Sequence, residues 1–588
     1  MPPAPPSPPP PPPPPVSGAD GVPFATASST SRFLTQTTFG PDPSDVTSLV
    51  GSSASEWYLA ELAKPQSSTS FYLDGFLQGG FSNTDDRTIL RSIPTFTFWK
   101  NAISGDDQLR QRMSFALSQI FVVSDFANNA ISEIPQAITN HQEVLSAHAF
   151  GNYRDLLEAI TYEPAMGWYL TFMGNQKADP VTGRVPDENY ARELLQLFTT
   201  GLVQLNSDGS PVLSSDGVPI ELYTNRDITG LAKIFTGLDL EGIDRTLYPT
   251  IDEIINQGTG LDDNFLRPMA PHESLHAEDR KEFLNCSVPA GTTIEQSIDL
   301  ALDCIMAHPN VGPFVGRQLI QRFTTSDPSP EYVARVSAVF DAGRYRLPNG
   351  ANVGTGRKGD LAATLAAIVF DPEAREDTNL TNTRFGKIRE PILRFTHWAR
   401  AFQVAAENPE YVSRLWETQE LSALGQHPFR APSVFNFYRP GYLAPGTESG
   451  AVGMTVPELQ IVNAASTTGY LNFIADWAYN WRVEAASELE ERAFLVEAGL
   501  VVDDAILAGA FVAAYTEELA LANDPTALVD HLDQLLVYGS MSEATKTAII
   551  DTIAMVPFDD PNDRDAQNER VSLAIWLVMA SPDYLVQR

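Results

Sequence analysis

Cysteine, long apolar runs and positive charge are what this chain of 588 residues has least of. Its two cysteines, Cys286 and Cys304, exclude a disulfide-rich scaffold and a four-cysteine zinc site, and leave room for one disulfide. The longest apolar stretches, such as LAATLAAIVF (361–370), fall short of the roughly 20 residues a membrane-spanning helix needs, so no transmembrane segment is expected. Lysine and arginine number 39 against 74 acidic residues, a net charge of −35. A surface this acidic repels phosphate backbones, and nucleic acid is therefore not an expected partner. No G-x-x-x-x-G-K-[ST], no G-x-S-x-G elbow and no G-x-G-x-x-G behind a recognisable strand is evident. Nucleotide-dependent and α/β-hydrolase chemistries thus lack their usual marks.

What is present begins with proline. Residues 1–21, MPPAPPSPPPPPPPPVSGADG, hold no core-forming side chains and read as a stiff polyproline II spacer. Residues 1–27 are taken as a disordered tether. No basic segment or apolar core of a signal peptide precedes it. Tethers of this kind often follow a signal or lipid-attachment sequence, so the expectation is an extracytoplasmic protein whose export signal is missing from this sequence.

Residues 28–588 read as a single large helical domain: mainly α, with a small inserted β-hairpin and long irregular connections. Apolar residues recur at helical spacing in 106–125, 152–164, 309–323, 330–341, 359–372, 388–403 and 566–580. Asp360 is placed as an N-cap, and Pro164 and Pro372 as stops. The clearest strand signal is VQLNSDGSPVLSSDGVPIELYT (203–224), where two Asp-Gly turns separate short apolar pieces.

Two stretches draw attention for chemistry. In PDENYARELLQLFTTG (186–201), Glu188, Asn189, Arg192 and Glu193 crowd the start of one helix, with Asp187 as its expected cap. Glu188 faces Arg192 and Asn189 faces Glu193 at i,i+4 spacing, while Tyr190, Leu194, Leu197 and Phe198 form an apolar face. Glu188 and Glu193 lie about 140° apart around the helix, which argues against a shared metal. The next helix, 224–238, opens with a Thr224–Asp227 capping-box spacing and is expected to pack against 187–200. The group is either an ion-paired clamp or part of a site.

The second stretch is PHESLHAEDRKEFL (271–284). His272, Glu273 and His276 form a literal H-E-x-x-H, the zinc-hydrolase pattern, so a divalent metal is one cofactor to consider. The polar residues that follow do not resemble the buried side of a zincin helix.

Several segments together are similar to the domain-of-unknown-function 1800 family of bacterial proteins. They include RFLTQTTFGPDPSDV (32–46), QLRQRMSFALSQIFVVSD (108–125), GNQKADPVTGRVPDENYARELLQLFTTGL (174–202), HPNVGPFVGRQLIQRF (308–323), GKIREPILRFTHWARAF (386–402) and LGQHPFRAPSVFNFYRPGYLAPG (424–446). The resemblance implies a mostly helical, usually exported protein without an established activity. It also implies a partner, since genes of this family often neighbour those of sulfatase-like proteins of the domain-of-unknown-function 1501 family. The resemblance makes the helix of Glu188, Asn189, Tyr190, Ala191, Arg192 and Glu193 the family's signature, and the family pattern also places a histidine before a lysine, matched here by His276 and Lys281, which leaves His272 outside it.

Two functions follow as expectations. One is an exported accessory or scaffold protein of the cell envelope, acting with a sulfatase-like secreted partner. The other is an enzyme on envelope or extracellular polymer, possibly a metal-dependent hydrolase, with Glu188, Asn189, Arg192, Glu193 and His276 in its site. The enzyme reading expects His276 beside Glu188 or Glu193, with a pocket between them.

Overall fold

A computed structural model describes residues 23–78, 87–126, 131–245, 262–404, 418–479, 515–558 and 563–588, with a few single positions between them. The proline-rich residues 1–22 lie outside this set. The described chain is mainly α-helical, and its sheets are four two-stranded antiparallel pairs.

Local chemistry fixes many helix ends. Asp360 accepts from the Ala363 N–H at 2.9 Å and starts the helix Leu361–Val369. Asn152 caps Tyr153–Tyr162 in the same way, and Pro164 ends that helix by opening the next, Pro164–Tyr169. The helix expected over 106–125 is shorter, Gln108–Ser118. Asp107 is turned to Ser67, whose N–H it accepts at 3.1 Å, so it makes no side-chain cap.

Buried apolar residues form two clusters. One draws on residues from Phe24 to Ala374, where Val311–Phe323, Pro330–Ala342 and Leu361–Val369 pack on one another. The other is built around Trp99, Phe395, Trp398 and Trp477, with Pro391–Ala401 and Arg564–Ala580 contributing. Phe429 packs against both.

A set of fully buried charges joins segments distant in sequence. Glu390 accepts from Gln119 at 2.6 Å, Gln426 at 2.7 Å and the Tyr438 hydroxyl at 2.9 Å. Arg112 donates to the carbonyl of Arg322, as does Lys387 at 3.1 Å. Burial alone would raise the Glu390 carboxyl, but Lys387, Arg112 and Arg322 hold it below the ordinary range.

The 203–222 insertion departs from the simple hairpin expected. Two tight turns end at Gly209 and Gly217, and the chain folds back twice. Gln204 N–H bonds Ile220 O at 2.9 Å, Ile220 N–H bonds Val212 O at 3.0 Å, and Val212 N–H bonds Gln204 O at 2.8 Å. Three short segments therefore close into a ring. Further along, Cys286 on the strand Cys286–Val288 is bonded to Cys304 in the helix Ile294–Ala307, with a Cα–Cα distance of 6.5 Å.

Candidate functional site

The helix that begins the site is Asn189–Glu193, continued as a π-helix over Leu194–Thr199. Such wide turns are rare and often accompany functional segments. Asp187, the expected cap, accepts from the Asn189 N–H at 2.8 Å in the turn before the helix, but the N-cap position falls one residue later, at Glu188, and carries no side-chain cap bond. Tyr190 anchors the inner face: it is 1% exposed, stacks on Phe172 at 4.1 Å and shares a 2.8 Å hydrogen bond with Thr161.

The four polar residues separate. Glu188 and Arg192 pair at 3.2 Å near the surface, with side chains 31% and 42% exposed. Glu188 also accepts from the Thr229 hydroxyl at 2.7 Å, and Arg192 reaches Asn225 at 3.4 Å. These bonds dock the signature helix on Asn225–Ala232, whose Thr224–Asp227 capping box forms as expected. Asn189 turns to Thr171 at 3.5 Å, away from Glu193. Glu193 alone is buried, and its Oε2 has no partner among the described residues. Burial pushes its carboxyl up, against the pull of Arg192. Tyr169 and Tyr223 are both raised to about 12 by burial and by this nearby carboxylate. The Tyr223 hydroxyl is likewise buried without a partner among the described residues.

His276 lies in a separate polar knot. Helix 225–232 continues as a 3-10 turn, Lys233–Phe235, that leads to Thr236 and Gly237. Gly237 has φ +93°, and a side chain there would strike the His272 carbonyl, so glycine lets the strand from Ala270 approach. His276 is 1% exposed. Its Nδ1–H donates to Thr236 O at 2.8 Å, and its Nε2 is left to accept from Lys281 at 3.1 Å and from the Ser297 hydroxyl at 3.0 Å. Ser297 and Thr292 share a further bond of 2.8 Å. Lys281 is fully buried and makes no ion pair within 4.0 Å among the described residues. Burial lowers the affinity of both His276 and Lys281 for a proton.

The H-E-x-x-H stretch does not form the α-helix its zinc reading needs. Glu273–Leu275 is a 3-10 turn and His276 leaves it in an extended conformation, so the two imidazoles are not stacked one helical turn apart. Glu273 instead accepts from the Ile294 N–H at 3.1 Å, at the start of the disulfide-bonded helix. The described residues contain no group of three metal-ligating side chains.

His276 makes no recorded contact with Glu188 or Glu193. Glu188 meets Thr229 and His276 meets Thr236, seven residues on, which is on the order of 10 Å along a helical path. Clefts of about 630 and 900 Å³ lie elsewhere and are lined by none of these three residues. One sequence reading also needs correction: GTGRKG (354–359) is a literal G-x-G-x-x-G between the short strand Asn352–Val353 and the helix Leu361–Val369. Asp360 already accepts from the Ala363 N–H and the Leu361 N–H bonds Gly151 O, so the pattern offers no open seat for a phosphate.

Ser297, Thr236, Thr292 and Thr229 were not marked by sequence, since hydroxyl residues on ordinary helices and loops carry no signal of a distant partner. Lys281 was marked only through the family pattern.

The fold and this pair of polar knots define a mainly helical protein organised around a polar signature helix. The chain belongs to the family described as protein of unknown function (DUF1800), whose sequence profile matches residues 32–586. No curated protein and no solved structure matches the chain.

Proposed function

We propose that this is an exported accessory or scaffold protein of the cell envelope, acting with a sulfatase-like secreted partner, in which the signature residues serve as a structural clamp. The observation that carries this reading is how the polar residues are engaged. Glu188 and Arg192 bond the signature helix to the 225–232 helix, Asn189 ties it to Thr171, and Glu273 and His276 bond the 270–288 segment to the disulfide-bonded helix. A scaffold has to hold its shape, and this is what the arrangement does. The Cys286–Cys304 bond supports export, because structural disulfides persist in oxidising compartments. No helix among the described residues is long and apolar enough to cross a membrane.

The test is fractionation of the native host with thiol trapping, followed by affinity capture of the full chain. Recovery outside the cytoplasm with both cysteines blocked, together with a sulfatase-like protein in stoichiometric amount, is the expected result. A cytoplasmic protein with two free thiols would overturn it.

The enzyme reading keeps one specific observation: Glu193 and Tyr223 present buried polar atoms, without partners among the described residues, close to one another. Loss of a measurable hydrolytic activity in Glu193→Gln, with a melting temperature no lower than the parent's, would favour it.

A further inference from the structure

A cleft of about 900 Å³ lies beside the turn that joins Val311–Phe323 to Pro330–Ala342. In a chain of net charge −35, three arginines line it: Arg317, Arg335 and Arg384. Two of them are committed. Arg335 forks onto Asp371 with two bonds of 2.7 Å, and Arg384 reaches Asp327 at 3.5 Å. Arg317 differs. It is half-buried, its one side-chain bond goes to the Thr455 hydroxyl at 3.3 Å, and no carboxylate among the described residues lies within 4.0 Å of it. Asp327 is the nearest compensating charge, and it is already held by Thr455 and Arg384. A half-buried guanidinium with no carboxylate in direct contact is favoured by an anion that meets it.

The rest of the wall is not an apolar socket. Asn379, Asn382 and Glu376 border the same opening together with Asp327 and Glu373; Asn382 donates to Asn379 at 2.9 Å and Asn379 to Glu373 O at 2.7 Å, which leaves each amide one further N–H, and Pro328, Pro330 and Pro372 make stiff sides. Amides and carboxylates match a ring that carries several hydroxyls. The guanidinium matches an oxyanion on that ring, since its planar fork binds carboxylate and sulfate alike. The volume suits two or three sugar units.

We propose that this cleft binds an acidic saccharide, with Arg317 receiving its carboxylate or sulfate group. The site lies apart from the signature helix and does not depend on whether the protein is a scaffold or an enzyme. The oxyanion can come from a uronate or from a sulfate ester, and the experiment separates them.

Titration calorimetry of the full chain would use four probes: trigalacturonate, a sulfated trisaccharide, neutral maltotriose and triglutamate. At least one of the two acidic sugars should bind, maltotriose and triglutamate should not, and whichever acidic sugar binds names the oxyanion. Arg317→Met should weaken that binding by about tenfold or more, as expected for loss of a charge-assisted bond, with Arg317→Lys intermediate. An unchanged melting temperature of Arg317→Met guards against a folding defect, and Arg267→Ala, an exposed substitution outside the cleft wall, should bind within a few-fold of the parent chain. The proposal is overturned by failure of both acidic sugars to bind at millimolar concentration, or by full affinity in a folded Arg317→Met. Equal binding of triglutamate would show simple charge capture and overturn the saccharide assignment.

Discussion

Lys281 Nζ lies 3.1 Å from His276 Nε2, inside the fold, and no carboxylate among the described residues comes within 4.0 Å of Lys281. The contact fixes the protonation of both. His276 donates from Nδ1 to a carbonyl, so Nε2 must stay unprotonated to accept from Lys281. Protonating it would set two cations against each other. The His276 proton affinity is accordingly lowered, by burial first and by Lys281 as well. The unfolded chain then binds a proton near pH 6.5 that the folded chain refuses until lower pH. Stability from this group is complete above about pH 6.5 and is lost as the pH falls toward the depressed folded value. Denaturant unfolding of the parent chain and His276→Gln at pH 5 and pH 7.5 checks this. The variant should show the smaller difference between the two pH values, whatever its absolute stability.

Arg192 and Glu193 should behave oppositely to what their adjacency suggests. The Glu188–Arg192 pair is solvent-exposed, and exposed pairs contribute roughly 0–1 kcal/mol. Arg192→Ala should therefore leave the melting temperature almost unchanged, where a buried arginine between two glutamates would have made it severely destabilising. Glu193 carries the buried charge. Its carboxyl is raised, so the folded state holds a proton that the unfolded state releases near pH 4.5, and stability falls as the pH rises through the folded value. Glu193→Gln should be more stable than the parent at pH 8, and the gain should shrink toward pH 4. A drop in melting temperature at pH 8 would show that the Glu193 charge is compensated.

How legible the fold was depended on range. The caps at Asp360 and at Thr224–Asp227 are decided within a few residues, and the sequence shows them directly. The Asp-Gly turns of 203–222 were equally plain, but their pairing was not: two similar turns eight residues apart leave the choice of partner to hydrogen bonds that no periodicity reports. The candidate site was read in residue type and missed in grouping. His276 binds Thr236, 40 residues earlier, and Ser297, 21 residues later, and a lone hydroxyl gives no hint of either. The π-helix after Glu193 left no trace in an apolar pattern that fits an α-helix as well.

The Cys286–Cys304 bond closes a separation of 18 residues, and a loop of that size is worth about 3 kcal/mol in the chain-entropy account. It also pins the helix that carries Ser297 to the strand pair that carries Lys281. Reduction, or a Cys286→Ser, Cys304→Ser double substitution, should lower the melting temperature and raise amide exchange in 270–300 before the rest of the chain. Two titratable thiols in the native, unreduced protein would sink the assignment.

The last prediction concerns Glu390, the buried acid facing Arg112, Arg322 and Lys387. Three hydrogen bonds converge on its Oε2, and all of its donors are buried with it. Removing one side of a buried charge set leaves the other uncompensated, a loss of about 3–5 kcal/mol. Glu390→Gln keeps the shape and an acceptor but deletes the charge, so it should destabilise by that order, far more than Arg192→Ala. Lys387 gives the second reading. Burial holds its ammonium down to about 8, against 10.5 when exposed. The folded chain releases this proton earlier than the unfolded chain, so the parent gains stability as the pH climbs from about 8 to 10.5. Lys387→Met should lack that gain. In the Glu390→Gln background Lys387 keeps a second buried carboxylate, Glu458, at 3.6 Å, so Lys387→Met should restore no stability, and the coupling in this double-mutant cycle measures the Lys387–Glu390 interaction alone. Additive effects, or a Glu390→Gln protein that melts with the parent, would mean that these charges do not share one site.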